Sequence, residues 1–345
     1  MKKIMFFAFA LCMALGATAQ DEQRAAELFN QGKDLFDQYD KLFAESNLKN
    51  TLDETRSQRA DFLLNGFGIL QDALKADSIP DIDKKTGAQK TEKDGTPKFK
   101  TKNSKKIIDL LAGHFNDLGS IADESFNAHD YANAARGYDA FASLVDAPFA
   151  KKSNIFLPDT TKGMVRFYQA VSAYEVKDFK QALFAADQAL SLGFKDPQGE
   201  MYYRACLSEN VQPLVDEKNF DAALNILNNA IAKHPNLYYP YLVKGSVIEN
   251  RDGIENAKAL YAKVVEVDPT SKYGYFNLAR CDYEKAIKII NDNPNATQKE
   301  IAALVREPLT IALDNFKKAQ QLDPENETQV NLFIDDVNYK LEMFK

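Results

Sequence analysis

One spacing recurs three times along the chain. Ala223, Leu227, Ala230 and Pro235 form one block, Ala257, Tyr261, Val264 and Pro269 a second, and Ala312, Phe316, Ala319 and Pro324 a third. Steps of four and three put the first three residues of each block on one face of a helix. The proline ends that helix, because it has no N–H to donate and drives the residue before it out of helical angles. The first two blocks start 34 residues apart, and the third starts 55 residues after the second. A period near 34 residues predicts a solenoid of stacked helix pairs. Alanine at a crossing lets two helices approach closely, and the large residue beside it fills the gap. Each pair leaves an apolar face that the next pair must cover.

These blocks resemble the second helix of the tetratricopeptide repeat (TPR). The first helix of such a repeat carries a large residue and then a small one, which Tyr241 and Gly245 match, as do Tyr275, Leu278 and Ala279. The extra length before the third block reads as about 21 inserted residues at 287–307, with Asn291, Asn293, Pro294 and Asn295 marking a loop and Glu300–Val305 an added helical turn. Upstream, Asp178, Phe179, Ala182, Ala186 and Ala189 match a second helix that closes late, at Pro197. Asp130, Tyr131, Ala134, Tyr138 and Phe141 match again and end near Pro148. Pro213 falls inside an expected first helix, which should be kinked or split there. The resemblance implies an all-α, right-handed α-solenoid of helix-turn-helix repeats. About five repeats are expected over 107–324, at 118–148, 164–197, 201–235, 238–269 and 272–324, the last carrying the insertion.

The flanks carry no repeat signature. Leu28, Leu35, Tyr39 and Leu42 form one helical stripe, and Leu63, Phe67, Leu70 and Leu74 another, so 20–80 reads as a helical hairpin that caps the first repeat. Residues 81–106 change character, with nine lysines against Glu92 and Asp94 between Lys84 and Lys106. Asp94-Gly95 is a tight-turn pair, and the segment reads as a projecting loop or hairpin. It is either a solvated excursion or a basic contact for an acidic partner or a lipid headgroup. Phe333, Val337 and Leu341 predict a C-terminal capping helix within 325–345.

The chain opens with Lys2 and Lys3, an apolar run from Ile4 to Leu15, and Ala17-Thr18-Ala19. This pattern predicts a signal peptide (1–19) cleaved after Ala19, and hence an exported, periplasmic protein. The run is too short to span a bilayer, and no other stretch of the mature chain approaches a spanning length. Cys12 lacks the small residue and the leucine that lipoprotein processing needs before it, so lipidation is not expected. Cleavage removes two lysines and no acid, taking the formal net charge from −7 to −9. That charge argues against nucleic acid and anionic membranes as general partners. Cys206 and Cys281 would fall on first helices two repeats apart, beyond disulfide reach, so a bridge between them is not expected.

Enzymatic signatures are missing from the sequence. His114, His129 and His234 stand at no metal-ligand spacing, and no phosphate loop or nucleophile elbow occurs. Asp81, Asp83 and Glu92 mimic positions one, three and twelve of a calcium loop, but Lys85 and Thr86 stand where a ligand and a glycine are required. Neither a cofactor nor a metal is expected.

The TPR resemblance implies that first helices line the concave face. Tyr239, Leu242, Ser246, Glu249 and Asn250 are the inward residues of one repeat, and Tyr273, Phe276, Arg280, Tyr283 and Glu284 those of the next. Phe167, Val171, Tyr174 and Glu175 are the counterparts upstream. Aromatics with an arginine suit a protein-binding hot spot. Tyr239, Asn250, Tyr273, Arg280, Tyr283 and Tyr174 are thus the candidate binding residues, although Tyr273 and Tyr283 could equally pack against a neighbouring repeat. The implied function is a non-enzymatic exported scaffold that binds a protein or peptide of the cell envelope. The alternative is a glycan- or small-ligand-binding helical-repeat protein of nutrient uptake.

Overall fold

The computed structural model describes the backbone of residues 2–345 apart from 78, 84 and 94, and side chains apart from those three and residues 1–22 and 326–328. The chain divides into two compact units, Met1–Glu200 and Met201–Lys345. Each unit is a stretch of all-α helical solenoid.

The first unit opens with a helical hairpin, α1 (Lys2–Lys49) and α2 (Leu52–Ala76). The side chains of the expected signal segment, 1–19, lie outside those described. Gly32 and Gly66 mark the closest approach of the hairpin. A Cβ on Gly32 would lie 2.6 Å from Leu70, and one on Gly66 would lie 2.6 Å from the Phe36 ring. The buried stripe of α1 accordingly runs through Phe36 and Tyr39; Tyr39 belongs to the stripe read in the sequence, while Leu28, Leu35 and Leu42 are partly buried beside it. It joins Leu63, Phe67 and Leu70 of α2 in a core shared with the following helices.

Residues 77–103 form the excursion from the helical stack. The short strands β1 (Ile79–Pro80) and β2 (Phe99–Lys100) pair antiparallel, and bridges join Ile82 to Gln89 and Thr91 to Pro97. Three strand segments therefore each pair with the other two. Their backbone bonds close a ring: Asp81 N–H to Lys98 (2.9 Å), Lys98 N–H to Lys90 (2.7 Å), and Lys90 N–H to Asp81 (2.8 Å). Buried Asp77 ties the ends together. Its Oδ2 accepts from the backbone of Lys102, Asn103 and Ser104 and from Ser104 Oγ, all at 2.7–2.9 Å. The chain then enters α3 (Ser104–Gly113), a helix the sequence reading did not separate from the first repeat.

The helix pair α4 (Phe115–Asn127) and α5 (Tyr131–Leu144) follows, then the short α6 (Pro148–Lys152) and the pair α7 (Asp159–Glu175) and α8 (Phe179–Ser191). In the second unit, α9 (Pro197–Asp216), which enters it at Met201, pairs with α10 (Phe220–Lys233), and α11 (Tyr238–Asp252) with α12 (Ile254–Val267). The chain ends with α13 (Lys272–Asp292), α14 (Gln298–Leu322), a 3-10 turn (Pro324–Asn326) and α15 (Glu327–Met343).

One turn joins the helices of the first three pairs. His129, Lys177 and Lys218 adopt positive φ of 58–63°. The next residue in each case, Asp130, Asp178 or Asn219, returns its N–H to a carbonyl five residues back. Its side chain then accepts from the third N–H of the new helix, a cap worth about 1 kcal/mol. The signature residues occupy the helix crossings. Ala182, Ala186, Ala189, Ala223, Leu227, Ala230, Ala257, Tyr261, Ala312, Phe316 and Ala319 are all buried. Gly245 is small because the Tyr261 ring lies against it. The helices before Pro235, Pro269 and Pro324 each stop two residues short of the proline, with the intervening residue out of helical angles.

One expectation is corrected in part. Pro213 does not split α9, which runs on to Asp216 as one helix. The proline sits in the last turn, where the bonds from Glu217 N–H to Pro213 and from Asn219 N–H to Leu214 close the helix end. The insertion at 287–307 holds a short loop, 293–297, between helical segments that include Glu300–Val305. It lengthens α13 to 21 residues and α14 to 25, against 15 in α11 and 14 in α12. Ile289, Ile290, Ile301 and Val305 carry the apolar stripe onward, so the added residues bury against each other. Thr297 and Glu300 start α14 with a reciprocal capping box.

Candidate functional site

Cross-helix pairs link successive first helices of the second unit. Between α9 and α11, the Ser208 and Tyr239 hydroxyls bond at 2.7 Å. Arg204 also donates to the Tyr238 hydroxyl at 2.9 Å, and its guanidinium lies 4.7 Å from that ring centre. Between α11 and α13, Arg280 Nη2 donates to Glu249 Oε1 at 2.6 Å. Glu249 also accepts from the Tyr261 hydroxyl at 2.7 Å, and Arg280 is further held by Asn277 at 3.0 Å. Between α13 and α15, the Tyr283 hydroxyl donates to Asp336 at 2.6 Å, while its ring packs edge-on to Phe316 and Phe333. Burial, and then the carboxylates they donate to, hold the Tyr261 and Tyr283 phenols well above their ordinary pKa.

The candidate binding residues therefore separate. Tyr239, Arg280 and Tyr283 have their polar ends bonded to the adjacent first helix. Asn250 bonds back to the Ser246 carbonyl of its own helix. Tyr174, in the first unit, is half-buried and packs edge-on against Phe179, with ring centroids 5.3 Å apart. Phe276 packs against Phe316 and Phe333. Tyr273 differs from all of these, being 50% exposed. The Lys272 ammonium sits 5.1 Å from its ring centre and pairs with Asp323, which raises the lysine pKa. Tyr273 stands at the mouth of a recess of about 350 Å³, lined also by Phe276, Ala319, Gln329 and Val330.

Sequence reasoning missed Arg204, Ser208, Tyr238 and Asp336. A signal for them exists: Ser208 and Tyr239 are 31 residues apart, and so are Glu249 and Arg280. Complementary side chains one repeat apart on first helices mark the cross-helix pairs.

The remaining chemistry-bearing residues have local partners. Asp81 is buried beside the Lys90 and Lys100 ammonium groups, and Asp83 accepts from the N–H groups of Lys85 and Thr86. Those two N–H groups hold the Asp83 carboxyl below the usual carboxylate range. Glu92 lies 3.7 Å from Lys98. The acids that mimic a calcium loop are thus committed to backbone and lysine. Cys206 and Cys281 are free and buried, and burial pushes both thiols up to about 12. Among the described residues, no group of His, Cys, Asp and Glu could hold a metal ion, and no helix is long and apolar enough to cross a membrane.

The fold defines a class, the helical-repeat proteins built of stacked helix pairs. No protein-family model and no curated protein matches the sequence. Among solved structures, the chain is similar to a TPR repeats protein from Bacteroides fragilis at 18% identity, covering 65% of this chain and 98% of that one, with a TM-score of 0.40. It is similar to YrrB, described as a TPR protein with an unusual peptide-binding site, at 16% identity, with 63% and 89% covered and a TM-score of 0.33. A putative protein binding protein from Bacteroides ovatus is similar at 15% identity, with 53% and 99% covered and a TM-score of 0.34.

Proposed function

We propose that this protein is a non-enzymatic scaffold that is exported to the cell envelope and binds another protein there. The binding surface is the face of first helices in the second unit, centred on Tyr273. One observation carries this reading: the bonds between helices occupy Tyr239, Arg280 and Tyr283 but leave Tyr273 half exposed beside a recess lined by Phe276, Ala319 and Val330 together with Lys272, Asp323 and Gln329. An exposed aromatic beside a recess that mixes apolar side chains with a lysine, a carboxylate and an amide suits a protein hot spot. The bonded helices supply rigidity, which keeps the ordering cost of binding low. Export rests on the pattern from Lys2 to Ala19.

The test is a photo-crosslinking residue placed at Tyr273 in cells, compared with one at Glu255 on α12. A single adduct from position 273, absent from position 255, is the expected result. Equal labelling from both positions, or none from 273, sinks this assignment.

A further inference from the structure

The excursion at 77–103 has a built interior and a cationic exterior, and the adjoining helices continue that exterior into a groove. Its acids are turned to structural use: Asp77 gathers the returning backbone, Asp81 is buried between two lysines, and Asp83 caps a turn. The lysines are exposed instead. Lys85, Lys93, Lys102, Lys105 and Lys106, with Lys151 and Lys152 of α6, are solvent-facing and form no ion pair with any described residue. In a chain of net charge −7, this is a local reversal of sign.

Between α3 and α6 lies an open groove of about 640 Å³. Lys105 and Lys152 stand at its sides against one carboxylate, Asp109; Ser104, Ser153 and Thr101 supply hydroxyls, and Ile108 and Ala112 an apolar strip. Paired lysines beside an apolar strip match a chain that carries carboxylates on both sides of an apolar residue. A flat anionic bilayer would meet the exposed lysines but brings no side chain to pack on the partly buried Ile108 and Ala112. Addition of a partner strand is also disfavoured, because the three segments of the excursion already pair with one another and leave side chains, not backbone, as the contact.

We infer that the α3–α6 groove and its lysine-rich prong form a second docking surface, for an acidic polypeptide segment that places one apolar side chain on Ile108 and Ala112 between carboxylates facing Lys105 and Lys152. This surface lies in the first unit and is independent of the site around Tyr273. Opposite charges steer the encounter, and the apolar anchor sets the residence time.

The probe is a fluorescent twelve-residue peptide of Asp and Glu with one central Phe, titrated into the purified protein and followed by anisotropy. Binding should weaken steeply with salt. It should fall at least about tenfold in a Lys105→Glu, Lys152→Glu variant, since two reversed charges act on the encounter and on the bound pair. Lys180→Glu on α8, an equally exposed charge reversal, should leave it unchanged, and circular dichroism should show all variants helical. Replacing the peptide Phe by Gly should cost a further several-fold if the groove is engaged. Three results would overturn the inference: no binding, equal loss in Lys180→Glu, or binding unchanged in the double variant. Co-sedimentation with vesicles of three parts phosphatidylcholine to one part phosphatidylglycerol, without peptide binding, would reassign the lysines to a lipid surface. Inorganic phosphate competing at millimolar levels with the Phe and Gly peptides equally would reduce the site to a simple anion site. Loss of the Tyr273 crosslink leaves this result untouched, so the two readings fail separately.

Discussion

Glu249 of α11 holds Arg280 of α13 at 2.6 Å, and the two residues are separated by the same 31 positions as Ser208 and Tyr239. Arg280 is therefore part of the frame. Its removal leaves a partly buried Glu249 with only the Tyr261 hydroxyl. Arg280→Ala should cost about 1.5–3 kcal/mol, the range for a hydrogen bond to a charged group. Tyr273→Ala removes a half-exposed ring and should change stability by less than about 0.5 kcal/mol. Urea unfolding of the two variants measures the contrast. Equal stability losses would mean that Tyr273 packs as well.

The contact between α13 and α15 is of a different kind, because α15 closes the stack through Tyr283 and Phe333. Tyr283→Phe keeps the ring between Phe316 and Phe333 and loses only the bond to Asp336, for about 0.5–1.5 kcal/mol. Tyr283→Ala also opens the packing, and Phe-sized truncations of this type cost about 3–5 kcal/mol. Hydrogen exchange should show α15 protected in the first variant and exposed in the second. Identical protection in both would show that α15 is held by other contacts.

Much of this architecture can be read directly from the chain. Ala223, Leu227 and Ala230 announce a crossing because only small residues permit close approach, and the prolines report helix ends by a local steric rule. Asp130 and Asp178 mark helix starts by the same kind of short-range chemistry. The break in the insertion was legible at Asn293, Pro294 and Asn295, whereas the packing of the flanking Ile290 and Ile301 arises only once the two lengthened helices lie together. The excursion was harder still: its three-way pairing depends on Asp81, Lys90 and Lys98 meeting, which no periodicity encodes. The first-helix residues were legible in position, but what each one contacts was not. Tyr239, Tyr273 and Tyr283 look alike in sequence, and only the presence of Ser208 and Asp336 opposite two of them separates packing from exposure.

Alkaline pH should weaken the fold through its buried phenols. Tyr138 donates to Asp123 and Tyr261 to Glu249, and burial followed by those carboxylates raises both phenol pKa values above 10.0. Unfolding lets them ionise near the ordinary value, so above about pH 10 the folded state holds protons that the unfolded state has lost. The stabilisation is complete below pH 10 and declines as pH rises beyond it, by up to about 1.4 kcal/mol per pH unit per group. Urea midpoints between pH 8 and 11.5 should show this decline, and Tyr261→Phe should flatten it. A slope identical to that of the parent protein would remove Tyr261 from the account.

Asp77 is the clasp of the excursion, and its four bonds predict a proteolytic phenotype. Asp77→Ala leaves three backbone N–H groups at the start of α3 without their acceptor. Trypsin should then cut the lysine-rich 84–106 segment faster than in the parent, with the helical core intact. Asp77→Asn retains an acceptor without the charge and should fall between the two. Unchanged cleavage in Asp77→Ala would show that the strand ring alone orders the segment.

Glycine substitutions provide a test of the repeat crossing itself. A Cβ at Gly245 would lie 2.5 Å from the Tyr261 ring, which is fully buried and bonded to Glu249, so it cannot yield without disturbing the Arg280 contact. Gly245→Ala should therefore destabilise by about 1–3 kcal/mol, the cost of overpacking a core. Gly68 of α2 gives the opposite case, since a Cβ there meets nothing within 4 Å. Gly68→Ala should stabilise by about 0.5–1 kcal/mol, because alanine loses less backbone freedom in a helix. The two variants carry the same chemical change, so opposite shifts in urea midpoint would isolate the Tyr261 contact as the cause. A stabilised Gly245→Ala would mean that α11 and α12 can separate slightly at no cost, and that glycine at this position is not required by the crossing.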